Sequence, residues 1–167
     1  MTNMNRRQVA GSLLGAAVLS AAPGLALAQR RAPTDRMKMP ILMGGDFSTA
    51  TSKLAARKAR DPAVREFAKL EITEQAAVAE AFGARPGSAG LRPDQAAIVA
   101  KLEAANGAMF DMMYIDGQIA GHRELLDLHR RYARGGSDPM ARGASLVGVT
   151  GIETHLFLLQ NIKRQIA

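Results

Sequence analysis

The 167-residue chain has no cysteine and no tryptophan, and only three histidines. Lack of cysteine excludes disulfides, a thiol nucleophile, and thiolate zinc or iron–sulfur sites. Aromatic residues make up 4% of the chain against 47% hydrophobic residues overall. Strands draw on β-branched and aromatic side chains, so a chain poor in aromatics and rich in Ala, Leu and Met points to helices. No segment alternates at period two for long enough to demand a strand. At this length one domain is expected.

The chain opens with what reads as an export signal over residues 1–28. Arg6-Arg7 supplies the charged start, Val9 to Leu19 the uncharged apolar stretch, and Ala26-Leu27-Ala28 the small-residue end, so cleavage is expected before Gln29 and localisation in the periplasm. The paired arginines suggest the twin-arginine route, although the Phe-Leu-Lys part of that consensus is missing. Removing Arg6 and Arg7 lowers the formal net charge from +7 to +5. The remaining basic residues are scattered among acids, with no recognition motif and no aromatic stacking platform, which argues against nucleic acid as a partner. Peripheral attraction to an anionic envelope surface stays open, as does a homodimer formed through an unsatisfied apolar stripe.

Residues 29–44 contain Arg30-Arg31-Ala32-Pro33 and Met39-Pro40 and read as a flexible lead-in. The domain proper is then 45–167. A first helix is expected from about Asp46 to Ala59. Asp61-Pro62 supplies a cap and an N1 proline for a second, running to about Phe82 before Gly83. After the turn-rich Arg85 to Gly90, Pro93 opens a third long segment reaching Ala133, with Asn106-Gly107 as a bend or break. Ser137-Asp138-Pro139 repeats the cap-and-proline start for a helix running to the C-terminus. Helices joined by short turns bury their apolar stripes most economically as an antiparallel four-helix bundle.

Polar residues on those stripes carry the functional signal. Glu71 and Glu74 lie on the second helix with Val64, Phe67, Val78 and Phe82; His122 lies on the third with Ile115, Ile119 and Leu126; His155 lies on the last with Ile152 and Leu159. These four are predicted to converge on a common core, where burial obliges them to pair with one another or to hold an ion. A di-iron carboxylate centre needs two Glu-x-x-His pairs plus two further Glu, and the chain contains no Glu-x-x-His. Glu153 and His155 point about 200° apart around a helix and cannot easily share an ion. A single Fe, Mn or Zn ion held by Glu71, Glu74, His122 and His155 is the metal reading. The plainer reading is a hydrogen-bonded network with no cofactor.

Asp111, Tyr114 and Gln118 form a second polar line ahead of His122 and are assigned to a structural network; Asp111 and His122 are about 16 Å apart along the helix and cannot ligate one ion. His129, beside Arg130-Arg131, reads as a surface or bundle-end residue. No Ser–His–Asp arrangement can be assembled, and no catalytic residue is assigned.

Four stretches together resemble one exported bacterial family, the domain-of-unknown-function family forty-one forty-two, over residues 44–166. They are Asp46-Phe47 through Ala59, Val64-Arg65-Glu66-Phe67-Ala68, Phe110-Asp111-Met112-Met113-Tyr114 with His122 eight residues on, and Glu153-Thr154-His155-Leu156. The resemblance implies a ferritin-like four-helix bundle of the kind labelled predicted outer-membrane protein. It carries over Phe110, Asp111, Tyr114, His122 and His155. Glu74-Gln75 stands where it implies Asp-His, and Thr or Ser near Leu54-Ala55 stands where it implies Glu. The expectation is thus a non-catalytic, exported helical protein with a role in envelope stress or partner binding, with a transition-metal-binding protein as the alternative.

Overall fold

A computed structural model describes residues 35–167. The signal at 1–28, cleavage before Gln29 and the first part of the lead-in lie outside the described residues. Five helices and no strand are found among the described residues: α1 (Lys38–Lys58), α2 (Pro62–Ala81), α3 (Pro93–Ala104), α4 (Gly107–Gly135) and α5 (Pro139–Ile166).

Local chemistry accounts for each boundary. Asp61 accepts hydrogen bonds from the Ala63 and Val64 N–H groups at 2.8 and 3.3 Å, with Pro62 at a position that needs no N–H partner. Asp138 does the same for Met140 and Ala141 ahead of α5. Pro93 opens α3 while the Gln95 side chain accepts from the Arg92 N–H at 2.9 Å. The third segment of the sequence is two helices, because Gly107 adopts φ +62°, a left-handed conformation that breaks the run after Ala104. The flexible lead-in also needs correction. Residues 38–44 belong to α1, and Pro40 sits in its first turn, where a missing N–H breaks no helical bond. Ile41, 1% exposed, anchors that turn in the core.

Helices α1, α2, α5 and α4 form a ring in which each packs on the next and α4 returns to α1, while α3 lies against α1 and α4. Contacts between helix ends give the directions. Lys38 at the start of α1 donates to the Phe82 carbonyl after α2 (2.9 Å) and pairs with Asp138 before α5 (2.7 Å). Lys163 late in α5 meets Asp116 early in α4 at 2.6 Å. Neighbours around the ring therefore run in opposite directions.

Two carboxylates tie loops to this frame. Asp46 of α1 accepts from the Gly87, Ala89 and Gly90 N–H groups at 2.7–2.9 Å and pins the α2–α3 loop. Asp111 of α4, buried, accepts from the Arg60 and Asp61 N–H groups at 3.0 and 2.8 Å and holds the α1–α2 turn. Each such bond to a charged acceptor is strong, and its loss strands a partly buried N–H. Asp111→Ala is expected to lower unfolding free energy by about 2–3 kcal/mol in urea titrations; an unchanged midpoint would show that the turn holds without it.

The core has two apolar layers. One is built around Phe67, Leu102, Phe110, Ile115 and Leu159, the other around Ile41, Phe82, Leu125, Tyr132 and Ile152. Between them, the residues that α1, α2, α4 and α5 turn inward are polar: Ser48, Glu71, Gln118, His122 and His155.

Candidate metal centre

The middle layer brings one side chain from each of three helices to a point. Glu71 (0% exposed) comes from α2, His122 (1%) from α4 and His155 (5%) from α5. Glu71 Oε2 lies 3.4 Å from His122 Nε2 and 3.1 Å from His155 Nδ1, and the two ring nitrogens are 3.2 Å apart. Among the described residues, Glu71 Oε2 is the buried side-chain polar atom that makes no hydrogen bond of good geometry. Buried polar atoms are almost always satisfied, so this one is informative.

The surrounding groups fix how the three present themselves. The other carboxylate oxygen, Glu71 Oε1, accepts from Gln75 Nε2 at 2.8 Å and from the Ser48 hydroxyl at 2.6 Å. The same hydroxyl lies 2.8 Å from Gln118 Oε1, so its proton is shared between the two acceptors. His122 Nδ1 is 2.9 Å from the Gln118 carbonyl and donates to it, leaving the Nε2 lone pair facing the cluster. His155 Nε2 is 3.2 Å from Glu74 Oε2, which leaves Nδ1 facing inward. Phe67, a member of the apolar layer that holds Phe110 and Leu159, packs edge-on against the His155 ring, with centroids 5.2 Å apart, and closes that side of the cluster.

Glu74 is therefore not a fourth inward ligand. It lies on the far side of the His155 ring, half-buried, and holds that ring in place from behind. The reason is geometric: one turn of α2 separates Glu71 from Glu74, and the His155 ring fills the space between them. Room for the carboxylate comes from Gly151, one turn before His155, where a Cβ would stand 3.0 Å from Glu74 Oε1.

The structural network also differs in membership. Tyr114 and Gln118 are in it: Tyr114 Oη and Ser52 Oγ are 2.9 Å apart, and Gln118 Nε2 donates to Thr51 Oγ1 at 2.8 Å. Asp111 is not, since both its oxygens serve the α1–α2 turn. Sequence reasoning missed Ser48, Thr51 and Ser52 as members. Their three-four spacing along α1, continued by Ala55, was the available signal. His129, read as a surface residue, is buried; its Nδ1 is 3.1 Å from Ser145 Oγ, and burial pushes its pKa down to about 4.

The charges at the centre depend on one another. Burial by itself raises the Glu71 carboxyl, but the His122 and His155 imidazoles and the Ser48 hydroxyl outweigh it and hold Glu71 well below the usual carboxylate range. Burial lowers His155, and the Glu71 and Glu74 carboxylates on either side of its ring overcome that and raise it to about 9. In the metal-free protein at neutral pH, the Nδ1 proton of His155 thus occupies the space between Glu71 Oε2 and His122 Nε2.

Over the described residues the protein is all-helical, with a buried cluster of two histidines and one carboxylate that could hold a metal ion. The model of the family described as Domain of unknown function (DUF4142) matches residues 21–162, and the chain belongs to that family. No curated protein and no solved structure matches it.

Proposed function

We propose that this protein binds a single transition-metal ion through Glu71 Oε2, His122 Nε2 and His155 Nδ1. One observation carries the reading: three donor atoms from three helices, all within 3.1–3.4 Å of one another, one of them a buried carboxylate oxygen that makes no hydrogen bond of good geometry. Donors about 2.0–2.2 Å from one ion stand about 3.0–3.5 Å from each other, so the triangle has the size an ion imposes. The outer contacts fit as well. Metal-binding imidazoles characteristically give their second nitrogen to a carbonyl or a carboxylate, which is how His122 meets Gln118 and His155 meets Glu74.

Two imidazoles and one carboxylate form a donor set of intermediate softness suited to Fe(II), Mn(II) or Zn(II), and leave further coordination positions to water or a small ligand. A bound divalent ion supplies Lewis acidity there. The chain's own residues set its surroundings: Ser48 and Gln75 restrain Glu71 to one free oxygen, and Phe67 keeps one side of the site dry. No residue with the geometry of a nucleophile adjoins the cluster among the described residues, so the reading stops at binding.

The same proposal takes the ring of α1, α2, α5 and α4 as a ferritin-like four-helix bundle with α3 as an added element. It takes the protein as exported to the periplasm by the signal at 1–28. Chelator-stripped protein titrated with Zn(II) should bind one equivalent with a sharp break; less than about one tenth of an equivalent at saturation would overturn the reading.

A further inference from the structure

A groove of about 650 Å³ runs between α2 and α5 on the outer side of His155, the one residue it shares with the proposed metal triad. Ala77 and Ala81 on α2 face Gly143, Ala144 and Gly148 on α5, and their small side chains leave the space open. The volume falls in the range that takes a small organic molecule. Its walls are apolar, continued at the rim by Val147, which is 76% exposed. At one end stand Glu74 and His155, and no lysine or arginine lines it.

Glu74 gives the groove its chemical preference. Its Oε2 is taken by His155 Nε2, while Oε1 lies over Gly151, itself a lining residue. An apolar trough ending in a carboxylate oxygen complements a molecule with an apolar body and one cationic, hydrogen-donating head. An anionic head of the same length would meet Glu74 with like charge, and the cationic neighbour at that end, His155, is already paired on both sides by Glu71 and Glu74.

We propose that the α2–α5 groove is a binding site for an amphiphile with an apolar chain and a primary ammonium head, the head donating to Glu74 Oε1. The site goes beyond the metal reading: it shares His155 with the proposed triad, but neither Glu71 nor His122 lines it. Because Glu74 also holds His155, ligand bound in the groove bears on the residue that positions a proposed metal ligand.

The test uses the full chain, stripped of metal by chelator and dialysed, so that it does not depend on whether an ion binds. Isothermal titration calorimetry with n-decylamine, 1-decanol and decanoate supplies the comparison. Decylamine should bind one equivalent with Kd on the order of 0.1 mM, as expected for a ligand of about a dozen heavy atoms. Glu74→Gln should weaken decylamine by about tenfold while leaving 1-decanol unchanged, as loss of one charge-assisted hydrogen bond predicts. Gly143→Phe, at a position where an added side chain meets nothing, should fill the groove and weaken both ligands. Absence of decylamine binding, decanoate binding as tightly as decylamine, or wild-type decylamine affinity in both variants would each overturn the proposal. Helical circular dichroism of the variants guards against misfolding as the cause of a loss.

Discussion

Replacing His122 by alanine is expected to cut Zn(II) affinity by more than about 100-fold, because residues that merely hold a ligand in place are already worth about 10–100-fold. His122 supplies Nε2 to the triangle from α4, the helix that packs on α5 and lies across the ring from α2, and no other metal-ligating residue of α4 reaches the same point. The variant should still fold, since the 3.1 Å pairing of His155 with Glu71 survives it. Glu74→Ala makes the sharper comparison. If Glu74 only orients His155 from behind, its loss should cost about 10–100-fold and leave the stoichiometry at one. A loss as large as that of His122→Ala would place Glu74 among the ligands. An unchanged affinity in His122→Ala would remove the triad as the binding site.

Metal affinity should also rise steeply with pH. His155 is raised to about 9 by its two carboxylate neighbours, so at neutral pH an entering ion has to displace its inward proton. Below pH 9 the apparent affinity should therefore fall about tenfold for each unit, or about 100-fold from pH 8 to pH 6, with one proton released per ion. Calorimetry in buffers of different ionisation enthalpy reads that proton directly. The metal-free protein should behave in the opposite sense. A histidine raised from its ordinary value of 6.5 contributes stability that is complete below 6.5 and is lost as pH climbs through about 9. Glu71, depressed from its ordinary 4.5, contributes stability that is complete above 4.5 and is lost in acid. Metal-free stability should peak between these two values, and bound metal should extend it upward. Affinity that stayed flat from pH 6 to pH 8 would mean that no proton stands in the ion's place.

These expectations rest on side chains that the sequence placed unequally well. Glu71, His122 and His155 were legible because each is a polar residue on an otherwise apolar three-four stripe, and a buried charge in such a place demands a partner. Glu74 shares a stripe with Glu71, yet periodicity reports a direction around one helix and says nothing of which face of a neighbouring ring the side chain reaches. The ring of His155 lies between them, and only the packing of α2 on α5 decides that.

Asp111 shows the same limit. It continues the line of Tyr114, Gln118 and His122, but near the start of α4 it faces the end of α1, where two backbone N–H groups compete successfully for its oxygens. Small polar residues are ordinary on solvated helices, so the hydroxyls of Ser48, Thr51 and Ser52 stand out in the sequence only by their three-four spacing. The packing of α1 turns them inward.

Helix punctuation followed local rules where the rules concern the residue itself. Asp61-Pro62 and Ser137-Asp138-Pro139 start helices where their caps and prolines say they should. Met39-Pro40 reads as lead-in because proline ends helices from within, yet it is tolerated in the first turn, and the distinction depends on where the first turn lies. Ile41, buried against the layer of Phe82 and Tyr132, sets that position through tertiary contact. The break at Asn106-Gly107 was marked in the sequence as a bend or a break, and the left-handed Gly107 makes it a break.

The most direct measurement is the location of a bound ion in crystals of the full chain grown with one equivalent of Zn(II), by anomalous scattering at the zinc edge. A single peak about 2.0–2.2 Å from Glu71 Oε2, His122 Nε2 and His155 Nδ1 is the expected result. An empty triad with the zinc elsewhere on the surface, or a peak that takes Glu74 in place of Glu71, would contradict it.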